Sequence, residues 1–142
     1  METTLLKKQE ALDYFTKSLL NSKAKRDIGK IFLFGSMARQ SVKPESDIDL
    51  LVFSLANTEK VRQTVQAAAF DATAKYGESI EPLIYEYTLF KHPDSYFIFN
   101  NIKKGREIYS MSPQQLKNKE QTVKIDLAED YLSAAEFLLK KD

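Results

Sequence analysis

The stretch FLFGSMARQSVKPESDIDLLVF, residues 32–53, constrains the fold more than any other part of the 142-residue chain. IFLF at 31–34 and DIDLLVFSL at 47–55 have the composition of short, largely buried strands. SMARQ between them fits one or two helical turns with Ser36 as the N-cap, and SVKPES has the composition of a loop. Because the connection holds so short a helix, the sheet is expected to be mixed rather than all parallel.

Two long helices and a third strand are predicted around this stretch. Apolar residues at helical spacing predict an amphipathic helix from residue 3 to about residue 22. A second helix is predicted over 58–76, with Gly77 as its C-cap. SIEPLIYEY at 79–87 is predicted as a strand, and Pro82 favours the edge of the sheet because proline cannot donate to a ladder.

The last third of the chain is predicted to be mainly helical. PDSYFIFNNIKKG suits a short helix with Asp94 near its start, and REIYS suits a short strand. Ser112, Pro113 and Gln115 form the pattern of an N-cap, a first-turn proline and a capping box. The helical pattern then continues to Leu139, which is long for a globular helix, so we expect it to break or to reach a partner. The predicted fold class is α+β, a small mixed sheet flanked by helices, with a C-terminal helical extension.

Composition excludes several classes of protein. Hydrophobic residues make up 43% of the chain, which is enough for the core of one domain. A net charge of +1 argues against nucleic acid as a direct partner bound by bulk charge. The absence of cysteine excludes disulfides and thiolate metal sites, and it suits a reducing cytoplasm. No apolar run approaches the ~20 residues that span a bilayer, so a cytoplasmic protein without membrane contact is expected.

Two acids stand at the start of the second predicted strand. Asp47 and Asp49 are two residues apart, so both side chains leave the same face, while Ile48 points the other way into the core. Two carboxylates this close repel each other unless a cation lies between them. Carboxylate pairs with open coordination positions suit Mg²⁺, which prefers few protein ligands and several phosphate or water oxygens.

The Gly35-Ser36 pair ends the first predicted strand and has the chemistry of a phosphate cradle. Glycine allows close approach of a phosphate, the helix start offers free N–H groups, and the serine hydroxyl adds a donor. Gly-Ser alone is common at helix starts, as is Asp-x-Asp at solvated strand ends. Together, in this order and between two apolar strands, they favour a site. Neither a P-loop nor a G-x-G-x-x-G fingerprint occurs.

Arg39 lies one turn into the short predicted helix. Its guanidinium could bind a phosphate. The structural alternative is an ion pair with Glu45 or Asp47, and the sequence leaves both readings open.

The pattern GSMAR…SDIDLLV resembles the signature of the DNA polymerase β-like nucleotidyltransferase superfamily, over roughly residues 5 to 110. The small size resembles its minimal nucleotidyltransferase (MNT) antitoxin branch. The resemblance implies a nucleotidyltransferase domain over 1–110 and ATP as substrate. It implies that Gly35, Ser36 and Arg39 bind the nucleotide, and that Asp47 and Asp49 bind two Mg²⁺.

That family also places a third carboxylate on the next strand, where it binds metal and activates the attacking hydroxyl. In SIEPLIY the matching acid is Glu81, which has a longer side chain than the family's aspartate and stands beside Pro82. The resemblance implies that Glu81 is a catalytic and metal-binding residue. The alternative is a solvent-facing acid on an edge strand.

The tail DLAEDYLSAAEFLLKKD, residues 126–142, resembles the first helix of a HEPN domain, although an ordinary packed helix explains the pattern as well. Residues 111–142 are accordingly expected to be a helical extension and the start of a HEPN-like domain. The resemblance implies a HEPN-type toxin, or a fused HEPN domain, as partner in a homo- or hetero-oligomer. MNT and HEPN proteins occur as antitoxin–toxin pairs, in which some MNT proteins transfer AMP to a tyrosine of the toxin.

Three hypotheses on function follow. In the first, the chain is a Mg²⁺-dependent enzyme that transfers AMP from ATP to a tyrosine hydroxyl of a HEPN toxin. In the second, it is an inactive or weakly active module that neutralises the toxin by binding it. In the third, it is a small-molecule nucleotidyltransferase of the antibiotic-modifying type, which usually carries an additional helical domain.

Overall fold

The computed structural model describes residues 2–140. The strands are β1 (Ile28–Phe34), β2 (Ile48–Ser54), β3 (Ile80–Glu86) and β4 (Arg106–Ser110). The α-helices are α1 (Glu2–Leu20), α2 (Ser36–Arg39), α3 (Thr58–Tyr76), α4 (Thr88–Lys91), α5 (Tyr96–Lys104) and α6 (Pro113–Lys140). A 3₁₀ helix, Lys23–Asp27, leads into β1.

The four strands form one mixed sheet in the order β3-β2-β1-β4. β1 is antiparallel to both β2 and β4, whereas β2 and β3 are parallel. The short connection through α2 gives an antiparallel pair, and the long helix α3 provides the crossover that a parallel pair requires. The predicted α+β fold with a small mixed sheet flanked by helices is confirmed.

The hydrophobic core includes one face of the sheet and the apolar sides of α1 and α3. Alternate residues of β1 and β2 point into it, and their side chains are completely buried: Ile31, Leu33, Ile48, Leu50 and Val52. From the helices, Phe15 of α1 and Val65 of α3 meet them with no exposed surface. Burial of each such side chain stabilises the fold by about 1.5–3 kcal/mol.

The opposite face of the sheet is divided between acids at one end and aromatic rings at the other. Asp49 lies near the start of β2 on this face, and Phe53 lies near its end. The ring of Phe90 in α4 lies 5.6 Å from that of Phe53 and 5.8 Å from that of Phe32. The aromatic end is therefore covered by a short helix that the sequence pattern did not predict.

Two predicted boundaries are wrong. β1 begins at Ile28 rather than at residue 31, because its first residues pair with β2 and β4, which local composition cannot show. The N-cap of α2 is Gly35 rather than Ser36, because the chain turns there with a φ of 74°. Asp94 lies near the start of α5, as predicted; the N-cap is Ser95, whose Oγ accepts a hydrogen bond from the Ile98 N–H at 3.2 Å.

β3 is an edge strand, as Pro82 predicts. The Ile48 N–H of β2 donates to the Ser79 carbonyl at 2.8 Å, so Ser79 and alternate residues after it direct their backbone groups toward β2. Pro82 falls on the other alternation, and its nitrogen faces the free edge. The N–H that Pro82 lacks would not have bonded to β2, so the sheet loses no hydrogen bond. Its absence also hinders the pairing of another strand with this edge.

The chain divides into two compact units, Met1–Ser110 and Met111–Asp142. The second contains the predicted capping box: the Gln115 N–H donates to Ser112 Oγ, and the Ser112 N–H donates to Gln115 Oε1, both at 3.2 Å. α6 then runs to Lys140 without a break, so the break expected in this segment is wrong. The last two residues of the predicted extension, 141–142, lie outside the described residues. Within residues 2–140, every helix is too short or too polar to cross a bilayer.

Gly77 offers a test of the connection between α3 and β3. It has a φ of 71°, its N–H donates to the Thr73 carbonyl at 2.8 Å, and a Cβ placed there meets no atom within 4 Å. Gly77→Ala should therefore lower the free energy of unfolding by about 1–2 kcal/mol through backbone conformation alone. Gly77→Asn should lower it less, since asparagine adopts this conformation more readily. Urea denaturation measures both, and equal losses would contradict the conformational explanation.

Candidate active site

The alternation of β2 places two aspartates outside the core. Ile48 is completely buried, as predicted, and the residues on either side of it point to the opposite face of the sheet. Asp49 is half-buried, whereas Asp47, one residue before β2 begins, is exposed. The Asp-x-Asp pair therefore lies at the acid end of the sheet face that is opposite the core.

The parallel pairing of β2 and β3 brings Glu81 beside this pair. Glu81 is the register partner of Asp49 in the β2–β3 ladder, and Phe34 is the partner of Asp49 on the β1 side. Glu81 is exposed, and its Oε1 accepts a hydrogen bond from Ser79 Oγ at 3.1 Å. The structure thus places the backbone of Glu81 next to Asp49, while Ser79 holds its carboxylate.

The charges of two neighbouring acids act on Asp49. Burial raises the pKa of the Asp49 carboxyl, and the charges of Asp47 and Glu81 raise it further, while Arg39 lowers it. A carboxyl surrounded in this way is harder to ionise unless a cation is present to offset the charge.

Gly35, which belongs to the predicted phosphate cradle, lies next to Asp49. Its backbone has a φ of 74° and a ψ of −151°, and a Cβ placed there would lie 2.5 Å from Asp49 Oδ2. Only glycine leaves room for the aspartate at this position. Ser36, the first residue of α2, follows directly and is half-buried, so the structure brings Gly35, Ser36 and Asp49 together.

Arg39 lies at the end of α2 and is exposed. Among residues 2–140 its guanidinium forms no ion pair with Glu45 or Asp47 within 4.0 Å. The ion pair is therefore absent among these residues, while the exposure of Arg39 also fits the alternative of a surface arginine. The phosphate-binding role stays a prediction.

Lys8 and Glu78 were not singled out from the sequence, yet they support the acid end of the sheet. Lys8 on α1 is completely buried, and its Nζ lies 2.6 Å from Glu78 Oε2. The same Nζ donates to the carbonyl of Ser46, the residue before Asp47. A signal was present: Lys8 falls on the apolar stripe of α1, four residues before Leu12, where an exposed lysine does not belong.

The donor atoms fit Mg²⁺ in chemistry. Asp47, Asp49 and Glu81 offer only carboxylate oxygens, which are the ligands that hard cations take. Within residues 2–140, however, no three His, Cys, Asp or Glu side chains are grouped closely enough to form a metal site by themselves. Two mutually repelling aspartates suit an ion that takes one or two carboxylates and completes its shell with substrate phosphates. That Glu81 is a third metal ligand stays a prediction.

Comparisons with known proteins concern the family and the fold of the chain. The family model described as polymerase beta, nucleotidyltransferase matches residues 16–114. A solved toxin–antitoxin structure with AMP-PNP contains a chain of the same fold, with a TM-score of 0.52 and 12% identity, covering 89% of this chain and 94% of that one. No curated protein sequence matches the chain.

Two further structures are similar at TM-scores below 0.5. One is the toxin–antitoxin pair MntA-HepT, with a TM-score of 0.48 and 12% identity over 94% of this chain and 97% of that one. The other is a complex of a tri-AMPylated Shewanella oneidensis HEPN toxin with an MNT antitoxin, with a TM-score of 0.41 and 13% identity over 97% of each chain.

Gly35→Ala tests the close approach of Asp49. The added methyl group would collide with Oδ2 and would also occupy an unfavourable backbone conformation, so we expect a loss of about 1–3 kcal/mol in the free energy of unfolding. A double-mutant cycle with Asp49→Ala, followed by urea denaturation, separates the two causes. The loss should shrink when the carboxylate is absent. Additive losses would show that Gly35 and Asp49 do not interact.

Asp49→Asn tests the raised pKa of Asp49. In EDTA, with no metal ion bound, the pKa of Asp49 is higher in the folded protein than in the unfolded chain. At a pH between these two values the folded protein binds more protons, so the free energy of unfolding falls as the pH rises. Asparagine removes the penalty, and the variant should have the higher melting temperature at neutral pH. Thermal melts from acid to neutral pH measure this, with Asp126→Asn on α6 as the matched control. A lower melting temperature for Asp49→Asn would contradict the raised pKa.

Proposed function

The chain belongs to the polymerase β nucleotidyltransferase family, and we propose that it transfers AMP from ATP to a hydroxyl group of a protein acceptor. The observation that carries the proposal is that two further acids, Asp47 and Glu81, act on Asp49, which itself lies directly against Gly35. A site that only needed rigidity would not gather like charges in this way.

Each residue of the site has a role in holding the nucleotide. The backbone at Gly35 and the Ser36 hydroxyl hold the β- and γ-phosphates, and the exposed guanidinium of Arg39 donates to a phosphate oxygen. Asp47 and Asp49 hold Mg²⁺, which when bound offsets the charge that develops on the transferring phosphoryl group. The raised pKa of Asp49 fits this role, because its carboxylate is disfavoured without a cation.

Glu81 acts as the general base in this proposal. It takes the proton of the acceptor hydroxyl, whose oxygen then bonds to the α-phosphorus of ATP. The bond between the α-phosphorus and the bridging oxygen breaks, and pyrophosphate leaves with that bond's electrons. The hydrogen bond from Ser79 is accepted by Oε1 alone, and the carboxylate has further lone pairs with which to take the proton of the acceptor.

We propose that the acceptor is a tyrosine of a HEPN-type toxin and that the chain is its antitoxin in the cytoplasm. The shared fold with a toxin–antitoxin structure that holds AMP-PNP supports both an adenine nucleotide and a toxin partner. Residues 111–142 are then a helical extension at the start of a HEPN-like region. Large apolar side chains along α6, among them Tyr131 and Phe137, are exposed, as expected for a helix that packs against further protein.

Neutralisation by contact alone is the second candidate, and one observation favours it. The carboxylate of Glu81 bonds to Ser79, and the described residues contain no ready three-ligand cluster. A chain that never recruits Glu81 would bind nucleotide and toxin without transferring AMP.

Label transfer distinguishes the two candidates. The protein is incubated with a HEPN toxin, Mg²⁺ and ATP labelled at the α-phosphate, beside the variant Asp47→Ala/Asp49→Ala. We expect label on the toxin with the wild type and none with the variant. Toxin that is neutralised by the wild type but carries no label would overturn the enzymatic proposal in favour of contact.

Glu81→Gln isolates the proton transfer. The amide keeps the size of the side chain but cannot accept the proton, so the rate of AMP transfer should fall by about 10²–10⁴-fold. ATP affinity should change little, since Glu81 is not assigned to the phosphates. Glu86→Gln, on the same strand and equally exposed, is the matched control and should keep the wild-type rate. A Glu81→Gln protein as active as this control would remove Glu81 from the mechanism.

A further inference from the structure

A completely buried lysine lies behind the acid end of the sheet. The Nζ of Lys8 lies 2.6 Å from Glu78 Oε2, and it donates to the carbonyls of Ser46 at 2.6 Å and Pro44 at 3.2 Å. An ammonium group has three donors, so these acceptors satisfy it fully. The side chain has no exposed surface, and that of Glu78 is only 10% exposed.

The acceptors of Lys8 lie in the two segments that lead into the acid-bearing strands. Pro44 and Ser46 belong to the loop between α2 and β2, and the chain passes from Ser46 directly to Asp47. Glu78 precedes β3 and stands three residues before Glu81. One ammonium group on α1 therefore connects the starts of both strands.

The hydrogen bonds of Lys8 act against the repulsion between Asp47 and Asp49. Asp47 directly precedes β2 and Asp49 is its second residue, so the two carboxylates leave the same side of the chain and repel each other. Within the loop, the Ser46 N–H donates to the Lys43 carbonyl at 2.9 Å, which shapes the turn but does not attach it to the rest of the protein. The bonds from Lys8 to Ser46 and Pro44 provide that attachment across 38 and 36 residues of sequence, respectively.

We infer that Lys8 and Glu78 are positioning residues: they hold the loop that carries Asp47 so that both aspartates can bind one cation. A purely stabilising role explains the pair less well, because a buried ion pair seldom stabilises a fold more than apolar residues of the same size. The inference rests on the proposed function in that it takes Asp47 and Asp49 as cation ligands.

The test measures cation binding rather than catalysis. The variant Lys8→Met/Glu78→Gln removes both charges together, so no unpaired charge is left buried. Mn²⁺ is titrated into the metal-free full-length protein, and free Mn²⁺ is followed by electron paramagnetic resonance. We expect the affinity to fall about 10–100-fold, as when groups that orient metal ligands are removed.

A second ion pair supplies the matched control. Lys30 Nζ lies 2.5 Å from Glu107 Oε1 and links β1 to β4. Lys30→Met/Glu107→Gln should keep the wild-type Mn²⁺ affinity, whatever it does to the melting temperature. A structural role for Lys8 and Glu78 would lower the melting temperature of their variant but leave its Mn²⁺ affinity within twofold of the wild type, and that result would overturn the inference.

If the double variant does not fold, the single variant Glu78→Gln tests the positioning role. It keeps Lys8 and its bonds to the loop but weakens the pair, so its Mn²⁺ affinity should fall several-fold below that of the Lys30/Glu107 control. An unchanged affinity would overturn the inference.

The wild type separates this inference from the proposed function. Mn²⁺ binding that Asp47→Ala abolishes, without any AMP transfer, would refute the proposed enzyme and leave the positioning role in force. A wild type that binds no Mn²⁺ in the absence of nucleotide would overturn the positioning role, whereas the proposed enzyme would still be decided by label transfer from ATP.

Discussion

The packing of the sheet holds several acidic side chains close together at one end, although their charges repel one another. Asp49 lies against the bare backbone of Gly35, and its pKa is raised by burial and by the charges of Asp47 and Glu81. A flexible chain would move these groups apart. Here β2 lies between β1 and β3, and its Leu50 and Leu51 are completely buried, so the strand cannot shift without losing the core. The site is unfavourable locally and is maintained by packing elsewhere.

Local features of the sequence predicted much of this arrangement. The alternation around Ile48 requires only the two-residue period of a strand, and the cap at Gly77 requires only a backbone with positive φ. The mixed sheet followed from the length of the connection between β1 and β2. Boundaries that depend on pairing partners were not accessible in this way. The first residues of β1 become a strand because β2 and β4 lie beside them, not because of their own preferences.

The site was predictable to a similar degree. Gly35, Ser36 and the two aspartates all lie between residues 35 and 49, so their proximity follows from one strand–turn–strand unit. Glu81 could be assigned to the neighbouring strand, but the hydrogen bond from Ser79 depends on side-chain rotamers that no pattern encodes. Lys8 was missed because a lysine in a helix is ordinarily solvated, and its partner Glu78 is 70 residues away. A charged residue on an apolar stripe was the one available signal.

The distance in sequence between Lys8 and its acceptors has a consequence for biosynthesis. α1 is synthesised before the carboxylate that neutralises Lys8, which is made 70 residues later; at roughly 5–20 residues per second this is a delay of about 4 to 14 seconds. During that time α1 carries the unpaired charge of Lys8 on the apolar side that is buried in the folded protein. It therefore cannot dock permanently until β3 begins to emerge. The acid end of the sheet is completed late in synthesis, when both strands that carry its acids are present.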